Sequence, residues 1–270
     1  MHRALRTSSF RSRQNVPCRM ADATPLPRRW ESVVYGPVRS RRLGVSLGLN
    51  LTPSGSKLCD FDCPYCACGF NTAKAAGARW PSPDEVAHAL LRALERLPRP
   101  PDWICFSGNG EPTLHPRFAV AVDRVLAIRD AQTPGVRVAV LSNGRWAGLP
   151  TIRDALCRLD ARIMKLDPGP PERVNGALLD AARLAADYRA VRPVTVQSTV
   201  VRGSDWDGSS PASLAAWLPL LEAADPAAVQ LCSLDRPPAD PSILNVPRER
   251  LLAMAAAIRE ALPRSVVDVY

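Results

Sequence analysis

The sequence predicts an α/β fold, a partial (β/α)6 barrel of the TIM type with parallel strands inside and helices outside. Three observations predict this fold. Six short β-rich segments alternate with six longer helical segments along the 270 residues. Two of the strands have one apolar face and one small or polar face. Proline-rich connections recur near residues 98–101, 168–171 and 236–241.

The predicted elements follow one another in β-then-α order. The strands are expected at residues 43–51, 103–107, 136–142, 161–167, 194–201 and 228–234. The helices are expected at residues 83–97, 117–129, 151–158, 177–190, 211–223 and 247–261. A helix between two strands carries the chain back to the same edge of the sheet, so the strands are expected to be parallel.

The first and fifth predicted strands indicate which face of the sheet meets a ligand. In the first strand, apolar residues alternate with Gly44, Ser46, Gly48 and Asn50. In the fifth, Thr195, Gln197 and Thr199 alternate with Val194, Val196, Ser198 and Val200. A parallel strand covered on both faces is normally apolar throughout. The polar faces therefore favour a cavity inside the barrel; the alternative is a one-layer sheet with a solvent-facing side.

Composition favours a globular body of one large or two small domains, with 46% hydrophobic and 23% charged residues. No stretch approaches the ~20 uninterrupted apolar residues that span a bilayer, so no membrane partner is expected. Residues 1–42 carry ten Arg against Asp22 and Glu31, so most of the net charge of +9 lies there. We expect a basic, flexible extension at residues 1–33 before a domain at 34–270, with Met20 as an alternative start.

The cysteines indicate a metal site. Four of the eight Cys lie between Cys59 and Cys68, while the others are scattered. The N-terminus lacks the apolar middle of a secretory signal, and the Arg- and Ala-rich composition is typical of a GC-rich bacterial genome, so a cytoplasmic bacterial protein is expected. Clustered thiols in a reducing compartment favour metal binding over disulfides.

Three interpretations of the thiol spacing stay open at this point. Cys59, Cys63 and Cys66 could hold a [4Fe–4S] cluster, which normally has four Cys ligands and would here keep one iron open. They could instead hold structural zinc with Cys68 as the fourth ligand. The third interpretation is chance crowding of buried cysteines.

Polar residues follow the next predicted strands where parallel barrels place their chemistry. The first group is Gly108, Asn109, Gly110 and Glu111, which could also form an ordinary tight turn. The second is Ser142 and Asn143, with an Asx turn as the alternative. Lys165 and Asp167 share a strand face and either pair with each other or face a ligand, and Gln197 is a similar candidate.

The Cys-x3-Cys-x2-Cys triplet with Tyr65 before its last Cys resembles the signature of the radical S-adenosylmethionine (SAM) superfamily. The resemblance implies that Cys59, Cys63 and Cys66 bind a [4Fe–4S] cluster whose fourth iron binds SAM. It implies reductive SAM cleavage to a 5′-deoxyadenosyl radical, which takes hydrogen from a substrate in an oxidoreductase or lyase reaction. It also implies a flavodoxin or ferredoxin as reductant. No catalytic residue beyond the cluster is assigned.

The same resemblance implies roles for the other motifs. Ser107–Thr113 is similar to the family's Gly-Gly-Glu-Pro motif, with Asn109 in place of a Gly. It would bind the SAM amino group, while Ser142 and Asn143 would contact its ribose or carboxylate. Tyr65 would lie beside the adenine. Lys165, Asp167 and Gln197 complete the predicted cofactor-binding residues.

Three segments further resemble the group related to the wyosine-forming tRNA enzyme (4-demethylwyosine synthase). They are Tyr35–Asn50, Phe106–Leu114 and Asp235–Pro238. This implies tRNA as a candidate partner, with Arg39, Arg41 and Arg42 as phosphate contacts or a solvated basic face. Those enzymes carry a second cluster bound by further upstream Cys, whereas only Cys18 lies upstream here. The alternative functions are a glycyl-radical-enzyme activase and a zinc-stabilised nucleic-acid-binding module.

Overall fold

A computed structural model describes residues 30–72 and 77–270. Residues 1–29 of the predicted basic extension lie outside the described residues. The strands are β1 (Val34–Ser40), β2 (Gly44–Asn50), β3 (Trp103–Ser107), β4 (Arg137–Ser142), β5 (Ala161–Lys165), β6 (Thr195–Thr199), β7 (Val201–Arg202), β8 (Ala228–Cys232), β9 (Leu244–Asn245) and β10 (Val266–Val269). The helices are α1 (Pro83–Glu95), α2 (Phe118–Gln132), α3 (Pro150–Cys157), α4 (Pro171–Val174), α5 (Ala181–Ala190), α6 (Pro211–Ala224) and α7 (Arg248–Ala261).

One eight-stranded sheet organises the domain. Its strand order is β1-β2-β3-β4-β5-β6-β8-β10, and all neighbours are parallel except β1, which pairs antiparallel with β2. The short strands β7 and β9 form a separate antiparallel pair. The predicted α/β fold of parallel strands with outer helices is confirmed, and it is consistent with a partial TIM barrel.

The two ends of this sheet approach each other. Arg41, in the turn between β1 and β2, lies 2.7 Å from the carboxylate of Asp235 beyond β8. The neighbouring Arg42 guanidinium lies 5.8 Å from the centre of the Tyr270 ring, directly after β10. We call this line of side-chain contacts the seam. It shows that the sheet curls far enough to enclose an interior, and it gives two of the three predicted phosphate-binding arginines partners within the chain.

Local sequence signals explain where helices begin. Ser82 accepts a hydrogen bond from the Glu85 backbone N–H while the Glu85 carboxylate accepts one from the Ser82 N–H, forming a capping box before α1. Ser210 caps α6 in a similar way, and a proline occupies the first turn of both helices. These signals set the return points of the chain outside the sheet.

The outer core lies between the sheet and the helices. Leu47, Leu49 and Leu51 of the first predicted strand belong to it, as do Val194 and Val196 of the fifth. Each of these residues is at most 2% exposed, which agrees with an apolar face turned toward the helices. The predicted alternation is therefore confirmed, except that Leu43 precedes β2 and packs against the inner cluster around Trp103.

The opposite face of the sheet lines the interior, and its character changes from one end to the other. Near the amino ends of the strands, Trp103, Cys105 and Ala139 form a small apolar cluster. The Arg137 guanidinium lies 4.0 Å from the Trp103 ring centre. Near the carboxyl ends the lining is polar, including Asn50, Gln197 and Lys165. This polar end is where the predicted site residues gather.

The observed boundaries differ little from the predicted ones, but two strands of the eight-stranded sheet were not predicted, nor was the short pair of β7 and β9. β1 adds an antiparallel strand before the first predicted strand, and β10 adds a parallel one after the last helix. The predicted helix at 177–190 begins at Ala181, where the Asp180 side chain caps it. No helix within residues 30–72 and 77–270 is long and apolar enough to cross a membrane.

Candidate functional site

The three predicted ligand cysteines lie in one segment after the carboxyl end of β2, residues 51–72, which we call the thiol loop. Leu58 joins this loop to the segment after β3: its N–H donates to the Asn109 carbonyl over 3.2 Å, and its carbonyl accepts from the Glu111 N–H over 3.1 Å. Gly110 permits this contact, because a Cβ there would lie 1.7 Å from the Leu58 carbonyl oxygen. The first predicted motif therefore supports the loop directly.

Backbone turns and amide groups surround the thiols. The Cys66 N–H donates to the Cys63 carbonyl over 3.0 Å, which closes a turn between these two residues. The side-chain amides of Asn143 and Asn175 lie 3.8 Å from the sulfurs of Cys59 and Cys63 respectively. N–H groups near sulfur stabilise the thiolate form and tune the redox potential of a bound cluster.

The thiols differ in acidity. Burial raises the pKa of Cys63 to about 11, and it also raises the pKa of Cys59. A hydrogen bond with the Cys68 side chain lowers the pKa of Cys66. Cysteine ligands of a metal must be thiolates, and burial disfavours the negatively charged thiolate form. A soft cation bound here would compensate that negative charge.

Cys68 contacts the supporting motif as well as Cys66. Its thiol lies 3.4 Å from the Gly108 carbonyl oxygen and can donate to it. Among the described residues, no group of three or more His, Cys, Asp or Glu side chains converges so that it could hold one metal ion. The thiols of the loop are included in this finding, so it does not distinguish zinc with Cys68 as the fourth ligand from a cluster.

Glu111 ties the segments after β3 and β4 together. Its carboxylate is buried and accepts four hydrogen bonds: from the Thr113 N–H, the Thr113 and Ser142 hydroxyls, and the Asn143 N–H, at 2.7 to 3.0 Å. Burial raises the pKa of Glu111, although all four hydrogen bonds act in the opposite direction. The sequence pointed to Glu111 and Ser142 as contacts of SAM; the structure adds a structural role for both, and their role toward SAM stays a prediction.

We expect Glu111→Gln to lower the free energy of unfolding by about 1–3 kcal/mol, the cost of an unsatisfied buried group. Glutamine keeps one acceptor oxygen, so a backbone N–H of Thr113 or Asn143 must face its NH2 group. Urea denaturation at equal iron content measures this as a lower midpoint with an unchanged slope. The exposed Glu172→Gln is the matched control and should stay within about 0.5 kcal/mol of wild type. Equal midpoints for both variants would contradict the assigned role.

Asn109, which replaces a glycine of the Gly-Gly-Glu-Pro motif, binds the chain that precedes β1. Its buried side-chain amide donates to the Trp30 carbonyl over 2.8 Å and accepts from the Trp30 N–H over 2.7 Å. Trp30 in turn stacks on Tyr35 with 4.0 Å between ring centres. Gly108, with φ near +132°, turns the backbone against Asn50. Asn109 thus links residues 30–35 to the thiol loop, which the sequence did not reveal.

Asp167 is the centre of a second polar group beside the thiol loop. One carboxylate oxygen accepts from the Lys165 ammonium over 2.9 Å and from the Thr199 N–H over 2.7 Å. The other accepts from the Tyr65 hydroxyl and from the Asn175 side chain, at 2.9 Å for the latter. Lys165 and Asp167 therefore pair with each other, which was one of the two predicted alternatives.

Tyr65 and Gln197 occupy different surroundings. The Tyr65 ring packs against Val174, Val201 and Ile243 while its hydroxyl reaches Asp167. Gln197 donates to the Gln230 side chain over 3.0 Å inside the barrel. Strand register places Lys165, Gln197 and Gln230 side by side on the interior face. The contacts of Tyr65, Lys165 and Gln197 with SAM stay a prediction.

Sequence reasoning missed two members of the site. Asn175 lies after α4, and it connects Cys63 to Asp167. Lys57 lies two residues before Cys59, is 2% exposed and donates to Asp62 over 3.0 Å. A signal for Lys57 existed, because only three of the 35 basic residues in the chain are lysine.

The donor set fits the cofactors that the predicted family uses. Three soft thiols on one short loop are ligands that select iron–sulfur clusters, zinc or copper. Cys59, Cys63 and Cys66 number one fewer than a closed [4Fe–4S] cube requires, and the fourth thiol of the loop, Cys68, contacts the Gly108 carbonyl. Amide donors and a buried cation surround them, which suits an anionic cluster.

Comparison with known proteins agrees with this geometry. The model of the Radical SAM superfamily matches residues 54–168, from the thiol loop to Pro168 beyond β5. This match covers 115 of the 270 residues, and over them the chain is similar to the radical SAM superfamily. This supports the prediction of a radical SAM enzyme and, at the level of the family, of SAM and a [4Fe–4S] cluster.

The similarity to curated relatives extends over only part of this chain and part of each relative. A UPF0026 protein of Helicobacter pylori is 33% identical over 135 residues, which are 50% of this chain and 42% of that protein. The chain thus spans less than half the length of this relative. The curated relatives do not confirm the wyosine-related subgroup, because the relative described above is a UPF0026 protein.

Solved structures show the same fold at low identity. Streptococcus suis SuiB bound to S-adenosylmethionine matches with a TM-score of 0.56 and 12% identity, covering 83% of this chain and 49% of SuiB. Archaeal TYW1 matches with a TM-score of 0.50 and 16% identity, covering 80% and 72%. These likenesses support the partial-barrel fold of this chain.

Proposed function

We propose that this protein is a radical SAM enzyme in which Cys59, Cys63 and Cys66 hold a [4Fe–4S] cluster with one open iron. The observation that carries the proposal is the placement of these three thiols, with the spacing Cys-x3-Cys-x2-Cys, on one loop at the carboxyl end of β2. The segments after β3, β4 and β5 hold that loop through Leu58, Asn143 and Asp167.

The cofactors supply the chemistry and the chain supplies its surroundings. When bound, a reduced cluster and SAM supply a 5′-deoxyadenosyl radical that abstracts hydrogen from a substrate. Glu111 and Ser142 fix the segments that face the thiols. Asp167 keeps the Tyr65 hydroxyl and the Lys165 ammonium in place at the next strand ends.

The polar side chains of the interior wall are suited to a polar substrate. Lys165, Gln197 and Gln230 line one side of the barrel at one level, and Thr199 accepts a hydrogen bond from Lys165 over 2.7 Å. The apolar cluster around Trp103 fills the opposite end of the interior, which limits water at the site. A small electron carrier, a flavodoxin or ferredoxin, is the proposed physiological reductant.

Anaerobic reconstitution with iron and sulfide tests the proposal. We expect about four irons per chain and release of 5′-deoxyadenosine when SAM and dithionite are added. One zinc per chain without SAM cleavage would overturn it in favour of a zinc-stabilised nucleic-acid-binding module.

Added arms of the same assay address the substrate. Bulk tRNA that stimulates 5′-deoxyadenosine release would support the wyosine-related interpretation, and unchanged release would count against it. A glycyl radical signal on an added partner protein, read by electron paramagnetic resonance, would identify an activase instead.

A further inference from the structure

Lys57 is a buried cation within the thiol loop. Its side chain is 2% exposed, and the residue lies two positions before Cys59. The chain uses arginine for nearly all its basic residues and has lysine only at positions 57, 74 and 165. A lysine retained in the interior beside the thiols therefore calls for a specific explanation.

The partner of Lys57 does not fully neutralise it. The ammonium donates to one oxygen of Asp62 over 3.0 Å, and that same oxygen accepts from the N–H and the side-chain amide of Asn71 over 2.9 and 3.2 Å. The Asp62 side chain is 38% exposed, so solvent screens its charge more than that of Lys57. Cys66 and Cys59 are the other groups whose charge acts on the ammonium.

A purely structural explanation of this ion pair is weak. Removing a charge from water costs several kcal/mol, and replacing a buried ion pair by apolar residues is often neutral or stabilising. A cation that stays buried beside thiolates has a clearer use. It stabilises added negative charge there, because electrostatic interactions are strong where water is excluded.

We propose that Lys57 raises the reduction potential of the cluster and so makes its one-electron reduction easier. This inference rests on the proposed function. Reduction transfers one electron from the external carrier, which is oxidised, to the cluster, which gains one negative charge; no bond to the protein forms or breaks. The fixed positive charge of Lys57 favours the reduced form, while the carboxylate of Asp62 acts in the opposite sense.

The opposite charges of the pair give a test that a structural role would not pass. In a redox titration followed by electron paramagnetic resonance, Lys57→Met should lower the equilibrium constant for reduction at least tenfold, which is about 59 mV for one electron. Asp62→Asn should shift the potential upward, because it keeps the acceptor oxygen and removes the negative charge. The double variant should lie between the two single variants.

A control and a second readout separate this inference from the proposed function. Arg129→Met breaks a half-buried ion pair with Asp160 near the amino end of β4, and it should leave the potential unchanged.

Iron content is measured for every variant. If the wild type binds no cluster, the proposed function fails. If all variants bind the cluster and both single variants keep the wild-type potential or shift it in the same direction, the role of Lys57 alone is refuted. If Lys57→Met binds no cluster, Lys57→Gln takes its place in the same titration, and an unchanged or raised potential there refutes the role of Lys57.

Discussion

Replacement of Cys59, Cys63 or Cys66 by alanine is expected to remove the cluster and reduce SAM cleavage to background, a loss of at least about a hundredfold. Changing groups that only support metal ligands already costs about 10- to 100-fold, so loss of a ligand should cost no less. Iron analysis after anaerobic reconstitution and 5′-deoxyadenosine release measure the two effects separately.

Two further cysteines serve as controls for this expectation. Cys157→Ala changes an exposed thiol on α3 and should keep full iron content. Cys68→Ala removes the thiol that contacts Gly108 and should also keep the cluster. Iron loss on Cys68→Ala comparable to that of the three ligand variants would show a fourth ligand and would contradict an open iron.

Removal of the Asp167 charge is expected to have the second largest effect. Asp167→Asn should lower the free energy of unfolding by about 2–3 kcal/mol, because Lys165 then lacks its partner. The value lies below that of a wholly buried pair, since the Lys165 side chain is 21% exposed. Chemical denaturation measures the loss, and SAM cleavage should fall as well because the single oxygen of Asn cannot accept from Thr199 and from Tyr65 and Asn175 at once.

A double-mutant cycle isolates the pair. The double variant Lys165→Met, Asp167→Asn should lose less free energy of unfolding than the sum of the losses in the two single variants. Each single variant leaves one charge of the pair without its partner, whereas the double variant leaves none. Tyr65→Phe keeps the ion pair and tests the hydroxyl alone. Strict additivity in the cycle would show that Lys165 and Asp167 do not depend on each other.

The sequence predicted the repeating part of the fold because its signals are local. Alternation in β2 and β6, and Ser-Pro starts at α1 and α6, require only neighbouring residues. β1 was missed because Gly36 and Pro37 interrupt it, and proline within a run normally argues against a strand. β10 was missed because it has four residues, and its pairing with β8 is set by the tertiary fold.

The candidate site divides in the same way. Cysteine spacing along the chain identified Cys59, Cys63 and Cys66 without any structure. The partners that hold them could not be read from spacing: Asn175 meets Cys63 across 112 positions, and Trp30 meets Asn109 across 79. Glu111 was identified, but its four internal hydrogen bonds depend on how two loops meet.

The seam gives the barrel wall one line of easy separation. Among the described residues, β1 and β10 are the ends of the strand order, so side chains rather than a ladder of backbone hydrogen bonds connect them there. The ion pair between Arg41 and Asp235 is at least half exposed at both ends, and such pairs contribute about 0–1 kcal/mol. Parting the wall along this line therefore costs far less than separating any two paired strands. A fully closed cylinder, by contrast, has no such line and is open only at its ends.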